Sequence, residues 1–275
     1  ASPNQTVTSF DDYAYHEIDA VNLLKSGRGW YGGNFDNVNN THSFTFNFPG
    51  TITTDTLLFK ASVIGRAENS SSNSFSITLN GQTIITQAFS SVGSSPQDNY
   101  AAPLYLSKTL FPNSSSINVS VSMSTADPNG QGWLNAIDLN ARCQLNMLGQ
   151  GDQFHFRDTR SAGIGNISEF QLNNTPSTVL VWDVTDPINV VLQAANFNSS
   201  TTSFITETNS LHEFIAFNET GAYSPVLIGQ IENQNLHASP KSSLLIVTNP
   251  LFIDQANELA DFHRTHDNYS TVVAT

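Results

Sequence analysis

The chain of 275 residues contains a single cysteine, Cys143. One cysteine excludes an intrachain disulfide. It also leaves a single candidate for a thiol nucleophile, which needs a base and a nearby cation or helix N-terminus to lower its pKa. Arg142 precedes Cys143, but neighbours along a strand point to opposite faces. Since Cys143 ends an apolar segment, we interpret it as a packed strand residue.

Basic residues are also scarce, with ten Lys and Arg against 23 Asp and Glu and a formal net charge of −13. Nucleic acids and anionic lipids both require a cationic surface, so neither is an expected partner. No apolar run approaches the roughly 20 residues that span a membrane. Residues 1–4 are polar and show no signal-peptide pattern, which fits a trimmed or mature segment.

Asparagine, serine and threonine are abundant, and their short polar side chains favour turns and strand edges over helix interiors. Residues 43–48, 74–79 and 116–123 alternate between apolar and polar types, which predicts half-buried strands. Asn80-Gly81 between two such runs predicts a hairpin, because both central residues of a type I′ turn need positive φ. Residues 1–145 are therefore predicted to form a β-sandwich of jelly-roll type.

Two further domains are predicted after this sandwich. Residues 146–240 form a second β-rich domain that ends in a polar linker. In residues 241–275 the pattern changes to an apolar strand at 244–248, buried on both faces, then a helix over 254–266 and a strand at 271–274. This is the opening βαβ unit of an α/β domain. Because a parallel sheet needs more than one such unit, we expect a truncated α/β start and a longer parent protein.

Trp30 and Tyr31 are the candidate binding residues, since they place two large aromatic side chains in the glycine-rich stretch 27–33. Aromatic side chains at the edge of a sandwich can stack on sugar rings or on peptide side chains. The alternative interpretation is a buried anchor that packs the N-terminal segment onto the sandwich.

Asp127 and Asn129 are the candidate metal ligands, in an oxygen-rich turn at residues 127–132. Carboxylate and amide oxygens are the ligands that Ca²⁺ prefers, and an extracellular β-domain could hold this ion there. The alternative is a plain turn. No other cofactor is predicted.

Several short segments, in order along nearly the whole chain, resemble the PorU family of surface sortases, which belongs to the gingipain-like cysteine peptidases. They are residues 21–32, 132–135, 139–142, 156–161, 181–185, 233–237, 245–248 and 256–264. The resemblance implies a caspase-like α/β catalytic domain whose Cys and His lie downstream of its first βαβ unit. No residue of this chain is therefore assigned a catalytic role, and Cys143 lies far upstream of that domain.

The same resemblance implies a function in the type IX secretion system, at the outer face of the bacterial outer membrane. The family removes C-terminal signals from secreted cargo and attaches the cargo to a surface glycolipid. We expect this chain to be a non-catalytic N-terminal region, inactive alone, that supports the peptidase domain or contacts peptide cargo and other secretion subunits. The rival hypothesis is a carbohydrate-binding β-sandwich or adhesin module at the cell surface that uses Trp30 and Tyr31.

Overall fold

The computed structural model describes residues 2–25, 28–68, 72–95, 97–218, 224–230 and 235–275. The chain divides into two compact units, Ala1–Ala222 and Tyr223–Thr275. Strands build the first unit, whereas the second contains a strand, a helix and a strand. Among the described residues, no helix is long and apolar enough to cross a membrane. The predicted fold class, mainly β with a short α/β segment at the C-terminus, is confirmed.

Among the described residues before position 145 there are twelve strands, and most of them form two sheets packed face to face. In chain order they are β1 (Gln5–Val7), β2 (Ser9–Glu17), β3 (Val21–Asn22), β4 (Trp30–Tyr31), β5 (Asn34–Phe35), β6 (Thr41–Asn47), β7 (Leu57–Arg66), β8 (Asn73–Leu79), β9 (Gln82–Ala88), β10 (Ala102–Leu110), β11 (Ser116–Thr125) and β12 (Gln131–Gln144). One sheet has the order β10-β7-β12-β2, with β5 also paired to β12, and the other has the order β6-β11-β8-β9. This arrangement is the predicted β-sandwich.

The alternating sequence pattern explains how the two sheets meet. Phe59 of β7 and Phe75 of β8 are fully buried between the sheets, and Phe75 also packs edge-on against Phe35 at a ring distance of 5.5 Å. Burying one such side chain contributes about 1.5–3 kcal/mol. Gly132 of β12 faces the same core, where an added Cβ would lie 2.7 Å from the Phe75 ring. Close contact between the sheets therefore requires glycine at this position.

The hairpin predicted at Asn80-Gly81 joins β8 to β9. Both residues have positive φ, 46° at Asn80 and 82° at Gly81. The Asn80 side chain also accepts a hydrogen bond from the Asn118 N–H at 2.7 Å and donates one to Asn113 at 2.8 Å. The turn is thereby tied to the neighbouring strand β11 as well as to its own two strands.

In the second predicted block, the part of the chain that the structure describes contributes seven strands to two further four-stranded sheets. They are β13 (Gln153–Arg157), β14 (Ile167–Asn173), β15 (Val179–Asp183), β16 (Val191–Leu192), β17 (Asn196–Asn198), β18 (Thr201–Glu207) and β19 (Glu213–Asn218). The sheet orders are β1-β14-β18-β17 and β13-β19-β15-β16, so β1 leaves the sandwich and pairs in parallel with β14. Phe156, Phe170, Phe204 and Phe214 stack together between these sheets.

The hydrophobic core continues from the sandwich into this second block. A single cluster of buried side chains reaches from Val7 to Ala216. Phe10 of β2 meets Phe154 of β13 edge-on at a ring distance of 4.9 Å. The predicted domain boundaries at residues 145 and 240 stay predictions, and the core supplies a direct way to test the first of them.

The second unit has the predicted βαβ order, with β20 (Leu244–Val247), α1 (Ile253–His266) and β21 (Thr271–Ala274), and its two strands pair in parallel. Within the described residues, β20 is not buried on both faces as predicted, because Leu245 is 57% exposed and Val247 is 72% exposed. The sheet formed by the described residues has two strands, and Ala256 and Ala260 of α1 are buried. Part of the predicted linker, residues 233–234, lies outside the described residues.

Candidate functional site

The aromatic loop, defined as residues 21–33, contains the predicted binding residues. Strands β3 and β4 form a short ladder in which Asn22 lies opposite Trp30 and Val21 lies opposite Tyr31. The Asn22 side chain also donates a hydrogen bond to the Arg28 carbonyl at 2.8 Å, which closes the loop. Ser26 and Gly27, at the start of the predicted glycine-rich stretch, lie outside the described residues.

The glycines after Tyr31 allow the aromatic loop to lie directly on the sandwich. The Gly32 N–H donates to the Leu134 carbonyl at 2.8 Å, and the Leu134 N–H donates to the Gly33 carbonyl at 2.9 Å. A Cβ on Gly32 would lie 2.8 Å from the Ile18 carbonyl oxygen, so a larger residue would force the backbone at Ile18 or at residue 32 to move. The sequence therefore sets the position of both aromatic side chains through backbone contacts.

Trp30 and Tyr31 project to opposite sides of this ladder, as adjacent strand residues do. Trp30 is 44% exposed, so it is not the fully buried anchor of the alternative interpretation. Tyr31 is half-buried and lines a cleft of about 210 Å³ together with Leu24, Ile64 and Tyr100. One aromatic side chain thus faces solvent and the other borders a small cleft, and ligand binding by either stays a prediction.

The turn that carries Asp127 and Asn129 borders a polar cleft of about 520 Å³, with Asp36, Arg66 and Glu68 on its other sides. Asp127 is buried, and its two carboxylate oxygens accept backbone N–H bonds from Glu68 at 2.7 Å and Asn129 at 2.9 Å. The carboxylate therefore holds two loops together, and Asn129 is exposed to solvent.

A calcium ion at this cleft would have to share ligands that already make hydrogen bonds. The Asp36 carboxylate accepts from the N–H groups of Val38 and Asn39, and these bonds hold its pKa below the ordinary value. In the described part of the chain, no group of three or more His, Cys, Asp or Glu side chains could hold a metal. Calcium binding by Asp127 and Asn129 stays a prediction.

Cys143 lies on the core side of β12, opposite Phe10, and is fully buried. Burial and the nearby Asp12 carboxylate raise the pKa of its thiol to about 12. Burial also raises the pKa of Asp12 to about 6, against the hydrogen bond that its carboxylate accepts from the Tyr13 N–H at 2.8 Å. A thiol in this environment stays protonated at neutral pH and cannot act as a nucleophile.

A buried charge cluster, which the sequence did not reveal, joins the sandwich to the second β block. Arg142 of β12 is 5% exposed and forms ion pairs with Asp11 at 3.2 Å and with Asp158 at 2.5 Å. Asp11 also accepts hydrogen bonds from the N–H and hydroxyl of Thr159, both at 2.7 Å. The residues of this cluster come from segments up to 148 residues apart, the separation of Asp11 and Thr159, so no local pattern could have paired them.

A second ion pair lies beside this cluster. Arg160 makes two hydrogen bonds of 2.7 Å to the Asp55 carboxylate. The Arg160 guanidinium thereby lowers the pKa of Asp55 to about 2. The bidentate geometry fixes the loop after β13 against the turn before β7.

No protein-family model matches the chain, and no curated protein sequence matches it. Among solved structures, the chain is similar to dimeric latent PorU from Porphyromonas gingivalis, with a TM-score of 0.77 and 21% identity over 100% of this chain and 26% of that chain. The chain thus spans about a quarter of the length of that PorU. At this identity the likeness establishes a shared fold.

Two CBM36 carbohydrate-binding modules match more weakly. One, in complex with calcium and xylotriose, has a TM-score of 0.26 and 10% identity over 48% of this chain and 99% of its own. The other, from a xylanase of the hindgut metagenome of Trinervitermes trinervoides, has a TM-score of 0.29 and 17% identity over 46% of this chain and 96% of its own. Likeness at this level carries no argument about binding.

Proposed function

We propose that the chain is the non-catalytic N-terminal region of a PorU-like cysteine peptidase that acts as a sortase in type IX secretion. The observation that carries this proposal is the shared fold with PorU over the whole length of the chain, at a TM-score of 0.77. The ordered short segments of the sequence support it independently of the fold. The parent protein would act at the outer face of the outer membrane.

The positions of the matching segments also support a scaffold role. Residues 139–142 supply Arg142 and residues 156–161 supply Asp158, which pair in the charge cluster between the sandwich and the second block. Residues 156–161 also supply Arg160, which pairs with Asp55 beside that cluster. Two separate segments of the resemblance therefore meet in space. Their ion pairs fix the contact between the sandwich and the second block, which a supporting region needs to keep rigid.

Within this function, the aromatic loop is the proposed contact for a cargo peptide or a partner subunit. Trp30 is exposed on a loop whose backbone is hydrogen-bonded to β12, so a bound peptide would meet a pre-positioned aromatic side chain. Calcium at Asp127 and Asn129 would strengthen the neighbouring turn. The buried thiol of Cys143 takes no part in chemistry.

Disruption of the gene that encodes the chain tests the proposed function. Secreted cargo is expected to keep its C-terminal signal, which intact-mass spectrometry of the culture supernatant and cell surface would detect. Reintroduction of the wild-type gene is the control and should restore processing. The purified 275-residue chain should leave a cargo C-terminal domain uncut. Normal processing in the disrupted strain, or cleavage by the purified chain, would contradict the proposal.

A binding measurement tests the aromatic loop separately. We expect an immobilised cargo C-terminal domain to bind the purified chain, with several-fold weaker binding by the Trp30→Ala variant. Phe111→Ala is the matched control, because Phe111 is a 65% exposed aromatic residue outside the loop. Equal binding by the wild type and the Trp30→Ala variant would remove the loop from the function without affecting the gene-disruption result.

A further inference from the structure

The outer face of the sheet β10-β7-β12-β2, called the tyrosine face below, carries exposed tyrosines on both of its edge strands. Tyr13 and Tyr15 of β2 are 58% and 66% exposed, and Tyr105 of β10 is 83% exposed. Their neighbours Ala14 and Leu106 pack into the core, so the three tyrosines project outward. Large aromatic side chains at both edges of one open sheet face are unlike the scattered apolar residues of an ordinary surface.

The strand register places polar side chains between these tyrosines. Asp138 lies opposite Tyr15 on one side and Lys60 on the other, and Lys60 lies opposite Ser107. These four residues form one row that crosses the four strands over about 14 Å. Asn140 lies in the next row, opposite Tyr13.

A cleft of about 390 Å³ lies over this floor, within the ~300–1,000 Å³ that is typical of ligand sites. Its lining includes Tyr13, Tyr15, Leu58, Lys60, Asp138 and Asn140. Tyr13 and Tyr15 supply apolar rings to this cleft, whereas Tyr105 lies outside its lining. The floor supplies an ammonium donor, a carboxylate acceptor and an amide that does both.

The polar groups of the floor are available to a ligand. Within the described chain, the side chains of Lys60, Asp138 and Asn140 make no hydrogen bond and no ion pair, although Lys60 and Asp138 have opposite charges and lie directly opposite each other. Like the tyrosines, Lys60 and Asp138 are exposed. Their hydrogen-bonding capacity is therefore open to solvent or to a bound molecule.

One end of the tyrosine face is held in place by the second β block. The Arg157 guanidinium lies 5.5 Å from the centre of the Tyr13 ring and also pairs with Glu213 at 3.0 Å. This contact limits the motion of the Tyr13 ring and lowers the entropy that a ligand would lose on binding.

We propose that the tyrosine face binds a neutral oligosaccharide. Sugar rings present apolar faces that stack on aromatic side chains and a rim of hydroxyls that both donate and accept hydrogen bonds, which matches the rings and the floor. A protein partner is disfavoured because Lys and Asp are depleted from the centres of protein interfaces, and here both occupy the centre. An acidic glycan is disfavoured by the net charge of −13. The site uses neither Trp30 nor Tyr31 and does not depend on the proposed function.

An array of neutral and acidic oligosaccharides, probed with the purified chain, tests this proposal. We expect neutral oligosaccharides to retain the chain, and calorimetric titration with the best of them should give a Kd that rises about tenfold in Tyr15→Ala and in Tyr13→Ala, because both rings line the cleft. Tyr269→Ala is the matched control, since Tyr269 is 46% exposed and lies in the other unit. Thermal unfolding should be the same for all variants, because the substituted side chains are exposed.

Several results would overturn the proposal. The first is an array on which no oligosaccharide retains the wild-type chain. The second is a sugar affinity that Tyr15→Ala and Tyr13→Ala leave unchanged. The third is self-association in sedimentation velocity that Tyr15→Ala abolishes, which would make the tyrosine face an interface between copies of the chain.

Discussion

At the scale of single residues, the charges that matter most are those that the fold has buried. Arg142 and Asp158 are 5% and 3% exposed, and each makes up for the other's lost hydration. A buried ion pair contributes little relative to apolar residues of the same shape, but removal of one partner leaves an uncompensated charge. The effect of Arg142 on stability is therefore expected to appear when Arg142 is removed, because its acidic partners would then be buried without a cation.

The Arg142→Ala variant tests this inference. We expect a loss of about 3–5 kcal/mol in the free energy of unfolding, because Asp158 and Asp11 would both lose their buried cation. Urea denaturation followed by circular dichroism measures the difference. Arg157→Ala serves as the control, since its pair with Glu213 is exposed and its removal should cost about 1 kcal/mol or less. A similar loss in the free energy of unfolding in the two variants would contradict the assignment of Arg142 to a buried ion pair.

A pH dependence follows from Asp12, whose folded-state pKa of about 6 lies above the ordinary value of 3.8. The folded chain therefore holds this proton more tightly than the unfolded chain does, and the contribution of Asp12 to stability is lost as pH rises from about 4 to 6. Asp12→Asn removes the ionisation and keeps an acceptor for the Tyr13 N–H. We expect this variant to be more stable than the wild type above pH 7, by on the order of 1 kcal/mol.

Urea midpoints at acidic and neutral pH measure the stability difference between Asp12→Asn and the wild type. Asp36→Asn is the control, because its effect on stability is expected to have the opposite sign. Backbone hydrogen bonds lower the pKa of the Asp36 carboxyl, so its contribution is present at neutral pH and lost as pH falls. Asp36→Asn should therefore be the less stable chain at neutral pH. A difference between Asp12→Asn and the wild type that does not grow with pH would show that the Asp12 carboxyl is not buried.

At the scale of secondary-structure elements, the sequence predicted the bounds of those strands and helices whose apolar residues face the core in a regular pattern. The strand predicted at 271–274 matches β21, and the helix predicted over 254–266 starts one residue earlier. Strand β2 was missed because its inner side mixes apolar Phe10 and Ala14 with polar Asp12 and His16, while Tyr13 and Tyr15 lie on its outer side. Neither side of the strand is uniformly apolar, so periodicity alone could not identify it.

In the candidate site, features formed by one local segment could be predicted from the sequence, and features formed by distant segments could not. A glycine-rich run with two aromatics was visible in the sequence, and the structure shows how Gly32 holds that loop against β12. The tyrosine face and the pairing of Arg142 with Asp158 were not visible, because each depends on strand order and register. These are set by contacts between distant segments.

The β8–β9 hairpin gives a prediction at this scale. Gly81 has φ of 82°, and a methyl group added to its Cα would meet only open space, so the Gly81→Ala variant would differ through backbone strain alone. We expect it to lower the free energy of unfolding by about 1 kcal/mol, measured by urea denaturation. Gln82→Ala, at the adjacent exposed position, should change stability by less than ~0.5 kcal/mol. An unchanged stability in Gly81→Ala would indicate a turn without positive φ at this residue.

At the scale of the whole molecule, the central question is whether the sandwich and the second block fold together. Strand β1 leaves the first block to pair with β14, Phe10 packs on Phe154, and Arg142 pairs with Asp158. A backbone ladder, the apolar core and a buried ion pair therefore all cross the predicted boundary at residue 145. Such a boundary is unlike the exposed linkers, crossed by few contacts, that separate independent domains.

Tryptophan fluorescence can decide this, because the chain has one tryptophan in each block besides Trp30. Trp133 is buried in the sandwich, and Trp182 packs edge-on against Phe217 at 4.7 Å in the second block. One variant keeps only Trp133 and another keeps only Trp182. In each variant, we expect the urea midpoint measured by tryptophan fluorescence to equal the midpoint measured by circular dichroism, as in two-state unfolding of one unit. Adding Arg142→Ala should lower both midpoints together. Two separate midpoints would instead establish the boundary at residue 145 and show that the shared core does not couple the blocks.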